Sequence, residues 1–286
     1  GCAGPGGHSQ QARHPRGGPP GWGGFEQTAE PPADQWPFHA AAAAIRAHSL
    51  IRSWPEVDAD RIGLTGISWG GFLSCIVAGL DPRLAFAAPV YGCGLLGRVA
   101  RWRTYLDPIG PAAASRWQQL WDPSHYLPRA RCPLLWINGT NDVSFPLDVW
   151  QASYRLAPAP RTLSLRLRMP HGHTEGEAPA ELHAQADALL RDGTPLARIT
   201  GAAREGRRIR VDFDSPRPVI RADLLATADG GPWESRVWKT LPATLNPGAA
   251  RAVGTLPPGT TAWFVNLEDD RGLLVSSEHE AMDTPA

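Results

Sequence analysis

Apolar positions along the chain follow two different rhythms. Between residues 61 and 191, short apolar runs alternate with longer helical patterns. Residues 61–67 (RIGLTGI), 84–90 (LAFAAPV), 134–138 (LLWIN) and 162–168 (TLSLRLR) are read as strands, the near-continuous runs suiting strands buried on both faces. Residues 69–80 (WGGFLSCIVAGL) are apolar nearly all round and predict a buried helix. Helical patterns recur at 147–156 and 178–191. Upstream, 35–53 (QWPFHAAAAAIRAHSLIRS) predicts another helix: Asp34 is placed to cap it, Pro37 is tolerated in its first turn, and the alanine run favours it. Strand and helix in alternation predict an α/β fold built on a parallel sheet. The aromatic-rich stretch 91–131 interrupts the alternation and is expected to be an irregular lid or pocket wall. Residues 1–33 are rich in Gly and Pro and predict a long surface loop.

After Gly193 the period becomes two. In 207–214 (RRIRVDFD), Ile209, Val211 and Phe213 share one face, and Ile220, Ala222, Leu224 and Ala226 alternate again. Further short strands are predicted at 236–240, 252–256, 261–267 and 273–276, with Gly and Pro turns between them. The change of period divides the chain into an α/β domain over 1–193 and a small all-β sandwich, Ig/fibronectin-like, over 194–286.

Composition narrows the function. The chain has 286 residues, 42% hydrophobic and 20% charged, which excludes a disordered tail or a fibre. The formal net charge is zero, so the basic footprint of a nucleic-acid or anionic-lipid binder is missing. No apolar run is long enough to predict a membrane span. Cys2, Cys75, Cys93 and Cys132 lack metal-type spacing and are too sparse for a disulfide scaffold. Buried thiols are expected, with a Cys93–Cys132 bridge as the alternative. No signal-peptide pattern follows Gly1; a secreted or periplasmic location stays open.

The chemistry starts at Gly66-Ile67-Ser68-Trp69-Gly70, a G-x-S-x-G placed where a buried strand ends and a buried helix begins. The motif alone is weak, but that setting is where a tight turn exposes a serine Oγ above a sheet. A serine hydroxyl needs a base, and the base needs an orienting acid. Parallel sheets present reactive groups at the carboxyl ends of their strands. After LLWIN the first acid is Asp142; after TLSLRLR come His171 and His173. His173 is favoured as the base because glycine precedes it, and His171 is the alternative. Asp148 is the second choice of acid, better placed as a helix cap. A metal pair at His-x-His is disfavoured, because no further ligand cluster follows. Trp102, Trp117 and Trp121 are candidates for the pocket wall, with ordinary packing as the alternative. Glu278-His279-Glu280 follows a strand of the second domain and is assigned to the surface or the domain interface.

The segments DQWPFHA, GISWGGF, PVYGCG, LWINGTND, RMPHGH and DDRGLLVSSEHE resemble the acetylxylan esterase-like and prolyl-oligopeptidase-like branch of the α/β-hydrolase superfamily. The resemblance implies Ser68 as nucleophile, Asp142 as acid, His173 as base and the Trp69 amide as an oxyanion-hole donor. It implies hydrolysis of a small-molecule or carbohydrate ester, an acetyl ester above all, with no cofactor and no metal. A peptidase with the same triad is the first rival, and a non-catalytic protein that binds a carbohydrate or partner is the second. The family sheet has four strands before the nucleophile strand, whereas only a loop and one helix precede residue 61 here. An N-terminally incomplete copy is therefore expected, lacking the loop that donates the second oxyanion N–H. The strand at 61–67 would then be a sheet edge able to pair with a second copy of the chain.

Overall fold

A computed structural model describes residues 18–19 and 22–282; Cys2 and most of the loop expected over 1–33 lie outside the described residues. Four strands, β1 (Gly63–Ile67), β2 (Phe86–Val90), β3 (Leu134–Gly139) and β4 (Arg161–Arg166), form a parallel sheet in the order β1-β2-β3-β4. Every residue of β2 and β3 is buried. Such strands need cover on both faces, which explains why their sequences are apolar without alternation.

Helix α2 (Trp69–Leu80) covers β1 and β2, α7 (Glu181–Leu190) packs on β2, Trp150 of α5 (Leu147–Tyr154) meets Trp136 of β3, and α1 (Trp36–Arg52) packs against α2. The helix at 69–80 matches its expected bounds. The cap of α1 does not: Gln35 occupies the N-cap, and Asp34 ends a single 3-10 turn over Pro32–Asp34. Pro31 and Pro32 set that turn, so the chain enters the helix one residue later.

The stretch 91–131 is also more ordered than expected. It contains α3 (Ala100–Leu106) and α4 (Pro111–Trp121), linked by single helical turns. Each helix is short, and each is fastened by one or two buried Trp side chains, which is too few repeats for a legible period. Gly110, in a positive-φ conformation (φ 84°), and Pro111 open α4.

From β5 (Arg198–Glu205) onward all pairing is antiparallel. One sheet has the order β5-β6-β10-β9, with β6 at Arg208–Asp214, β9 at Thr244–Asn246 and β10 at Arg251–Thr255. The other has the order β12-β11-β7-β8, with β7 at Val219–Thr227, β8 at Lys239–Pro242, β11 at Ala262–Asp269 and β12 at Leu274–Ser276; β13 (Glu280–Ala281) pairs with β11. Ile209, Val211 and Phe213 are buried as the alternation requires. The strand β5 is absent from the sequence pattern because it is almost wholly solvent-facing. Buried side chains of both halves join in one continuous hydrophobic cluster. Cys75, Cys93 and Cys132 are free, buried thiols, so the alternative bridge does not form. Burial raises the pKa values of Cys75 and Cys93 well above the ordinary thiol range.

Candidate active site

Ser68 sits between the last residue of β1 and the first of α2, with φ 56° and ψ −112°. A non-glycine residue there costs about 1–3 kcal/mol of backbone strain. The surrounding chain holds it. Ser68 N–H donates to Val90 O at 2.9 Å, and Phe72 N–H donates to Ser68 O at 3.0 Å. Two glycines make the turn feasible. A Cβ on Gly66 would lie 2.3 Å from Gly70 O, and one on Gly92 would lie 2.0 Å from Phe72 N. The Trp69 amide occupies the first turn of α2, where no intrahelical acceptor exists and the helix dipole favours negative charge.

Asp142 lies in the turn after β3 and is 2% exposed. Its Oδ1 accepts Ser144 N–H at 2.7 Å and Phe145 N–H at 2.9 Å. The loop is closed from within by Asn138, whose Nδ2 donates to Phe145 O at 2.9 Å. The other oxygen, Oδ2, is 2.7 Å from His171 Nδ1, and His171 Nε2 is 2.7 Å from Ser68 Oγ. With Asp142 ionised, Nδ1–H donates to it and Nε2 accepts from the serine hydroxyl. The imidazole packs against Tyr91 at 4.5 Å and Phe145 at 6.0 Å between ring centroids.

The sequence favours His173 as the base, whereas in the structure it is His171 that lies between Ser68 and Asp142. The Tyr91 hydroxyl lies 2.6 Å from Pro170 O and 3.3 Å from Gly172 O, on either side of His171 in the chain. Beyond Gly172 the chain winds into α6 (His173–Glu177), which takes His173 to an exposed position. The glycine before His173 belongs to that helix entry. Burial pushes the Tyr91 phenol above its ordinary range, so it stays a neutral donor. Asp148 lies in the first turn of α5, outside the Ser68–His171–Asp142 chain, and the N-cap of that helix is Pro146 with no side-chain cap.

The three tryptophans expected at the pocket wall are core residues. Trp102, Trp117 and Trp121 are 3%, 0% and 6% exposed. Their indole N–H groups donate to Ser144 O, Gly23 O and Gln35 Oε1. Trp102 still bears on the site, because Ser144 belongs to the Asp142 loop. The aromatics left partly open beside them are Trp22 and Tyr105, with ring centroids 5.3 Å apart. Trp22 is 5.0 Å from Trp69 and 5.8 Å from Trp102. Sequence reasoning missed Trp22, Tyr91 and Asn138. The PVYGCG segment carried a signal for Tyr91 and the LWINGTND segment one for Asn138.

A family model described as acetyl xylan esterase matches residues 38–96, which span α1, β1, the Ser68 turn, α2 and β2. Among solved structures, an acetyl xylan esterase from Paenibacillus sp. R4 aligns at 26% identity and TM-score 0.52, covering 63% of this chain and 61% of that one. Acetyl xylan esterase 1 from Thermoanaerobacterium sp. JW/SL YS485 aligns at 20% identity and TM-score 0.47, covering 60% of each chain. An acylaminoacyl peptidase from Pyrococcus horikoshii aligns at 19% identity and TM-score 0.46, covering 53% of this chain and 28% of that one. The chain thus spans less than two thirds of the length of these proteins. Comparison with curated proteins gives no match. Four parallel strands, the strained serine turn at the head of α2 and the family match laid across that turn give this chain a partial α/β-hydrolase fold and a likeness to acetyl xylan esterases.

Proposed function

We propose that the chain is a serine hydrolase of carboxylic esters, with Ser68 as nucleophile, His171 as general base and Asp142 as its orienting acid. The observation that carries the assignment is the continuous chain Ser68 Oγ–His171–Asp142, both links 2.7 Å, at the strained strand-to-helix turn. This is the nucleophile-elbow arrangement. Ser68 Oγ would attack the ester carbonyl carbon while its proton passes to His171 Nε2. The carbonyl π-electrons would move to the oxygen, where the Trp69 N–H is one donor. Collapse would break the acyl–oxygen bond, and the leaving alkoxide would take the proton from His171. Water would repeat the sequence on the acyl-enzyme and release the acid. Asp142 stays ionised and holds the imidazolium in place.

Acetyl esters of carbohydrates are the favoured substrate class. The support is the acetyl xylan esterase model over residues 38–96 and the 26%-identical solved esterase. Hydrolysis of p-nitrophenyl acetate and acetate release from acetylated xylan oligomers test both parts, with the chain compared with its Ser68→Ala variant. The substitution is expected to lower turnover by about 10³-fold or more. Equal rates for parent and variant would sink the assignment. Ser68-dependent turnover of the aryl ester without acetate release from xylan would remove the carbohydrate part alone.

A further inference from the structure

The loop carrying Asp142 is not held by its own sheet alone. Asn141, its immediate neighbour, donates both Nδ2 hydrogens to backbone carbonyls far along the chain: Glu234 O at 3.0 Å and Arg236 O at 2.8 Å. Its Oδ1 accepts from Thr140 Oγ1 at 2.7 Å. That hydroxyl in turn accepts Arg168 N–H at 2.9 Å, at the start of the loop that carries His171. The Arg168 guanidinium donates to Trp238 O at 3.2 Å. Acid loop and base loop are therefore both bonded to one segment, residues 229–238, which connects β7 to β8.

That segment has the rigidity to act as a clamp. Val237 N–H donates to Asp229 Oδ2 at 2.6 Å, closing the loop on itself. Arg236 Nε donates to Gly231 O at 2.9 Å, and the same guanidinium stacks 3.6 Å from the Trp233 ring. Trp233 meets the buried His279 edge-on at 5.0 Å, and Trp238 packs on Phe264 of β11 at 5.2 Å. All these anchors lie in the antiparallel half, and none touches Ser68, His171 or Asp142 directly.

We propose that Asn141 is a positioning residue through which the 229–238 loop sets the geometry of the Ser68–His171–Asp142 chain, so that competence of the site depends on the C-terminal β-sheets. The proposal rests on the hydrolase assignment above. An asparagine suits this position because two donors on one planar nitrogen match two carbonyls of a turn, and the remaining oxygen takes a third bond. A shift of the acid loop by about 1 Å would misalign the imidazole and cost about 100-fold in rate.

The test uses the full chain and approaches the clamp from both sides, with Asn141→Ala, Trp233→Ala and the double variant. Glu278→Gln is the control, because Glu278 joins the same two halves elsewhere through Arg155 and Arg161. With p-nitrophenyl acetate, each clamp variant is expected to lose about 10- to 100-fold in kcat with KM within about twofold. The double variant should fall little below the poorer single one, since both act through one contact. Hydrogen exchange read by mass spectrometry over residues 139–146 should quicken about tenfold in Trp233→Ala and stay unchanged in Glu278→Gln. Unchanged kcat and unchanged exchange in Trp233→Ala would overturn the proposal. So would an equal effect from Glu278→Gln, which would mean general loosening, or a loss carried wholly by KM. If the parent shows no Ser68-dependent turnover, the hydrolase assignment fails, and the exchange data alone decide whether the clamp exists.

Discussion

The two edges of the parallel sheet are finished in opposite ways. At β4 the backbone of Leu165 is met by side chains in place of another strand: its N–H donates to Ser276 Oγ at 2.8 Å, and its carbonyl accepts Asn266 Nδ2 at 3.1 Å. Ser276 and Asn266 also bond to each other. Beside them the fully buried Glu181 accepts Leu274 N–H and pairs with Arg166. A little further on, Glu278 takes Arg155 and Arg161. Burial opposes the Glu278 charge, but the two guanidiniums overcome it and hold the carboxyl below its ordinary range. At β1 no such side-chain seal is found among the described residues. The strand pairs with β2 alone, no strand adjoins its other side among the described residues, and its five residues are all partly or fully exposed. The contrast teaches that a parallel edge can be closed by side-chain amides, hydroxyls and carboxylates. Such a seal depends on buried polar groups, each costly when left unpaired.

That dependence can be broken experimentally. The largest effect is expected from Glu181→Leu, which leaves Arg166 and Leu274 N–H without their acceptor and should cost about 3–5 kcal/mol in denaturant unfolding. A cost under about 1 kcal/mol would show that water replaces the carboxylate freely and that the seal is superficial.

Next comes a pH effect on the same side. His279 is buried, with Nδ1 unpartnered, and burial with Arg155 and Arg236 nearby holds its imidazole down to about 3. Above its ordinary value of 6.5 it is neutral whether the chain is folded or not, so it contributes no pH dependence. As the pH falls below that, the unfolded chain binds a proton that the native state refuses, and stability drops until the folded value is reached. The parent should lose about 3 kcal/mol from this source between pH 7 and pH 4. His279→Leu should flatten that part of the curve. Parallel curves for the two proteins would show that the native state admits the proton.

The smallest effect on stability belongs to the open edge. Thr65→Lys on β1 removes one hydroxyl bond to Ala88 O and should cost about 1 kcal/mol or less. The charge should nonetheless suppress concentration-dependent association in sedimentation velocity, as lysine does on exposed edges. Identical sedimentation of parent and variant as monomers across concentrations would show that this edge does not recruit a second chain.

Much of this organisation was legible in the sequence. Continuous apolar runs marked the buried strands, and α2 was bounded to the residue by Ser68 on one side and Asp81-Pro82 on the other. The change to a period of two after Gly193 marked the start of antiparallel pairing. What escaped notice had no local signature. The exposed strand β5 carries no apolar alternation, and the two short helices of 91–131 are secured by only one or two tryptophans each. The 229–238 loop looks like any Gly- and Pro-rich turn.

By itself the sequence marked most of the buried elements, the parallel-then-antiparallel order and the strand ends beside which Ser68 and Asp142 lie. These follow from periodicity and from the rule that reactive groups sit at strand ends, both properties of a few neighbouring residues. Only the tertiary structure shows which of His171 and His173 lies between Ser68 and Asp142. The two stand two residues apart, His171 in the loop after β4 and His173 at the start of α6, and Tyr91, which follows β2, bonds the Pro170 carbonyl just before His171. Only the tertiary structure, likewise, sealed β4 with Ser276 and Asn266 and brought Asn141 to the carbonyls of Glu234 and Arg236. Each of those contacts joins residues about ninety or more apart, a separation at which no local pattern records which side chain will meet which backbone.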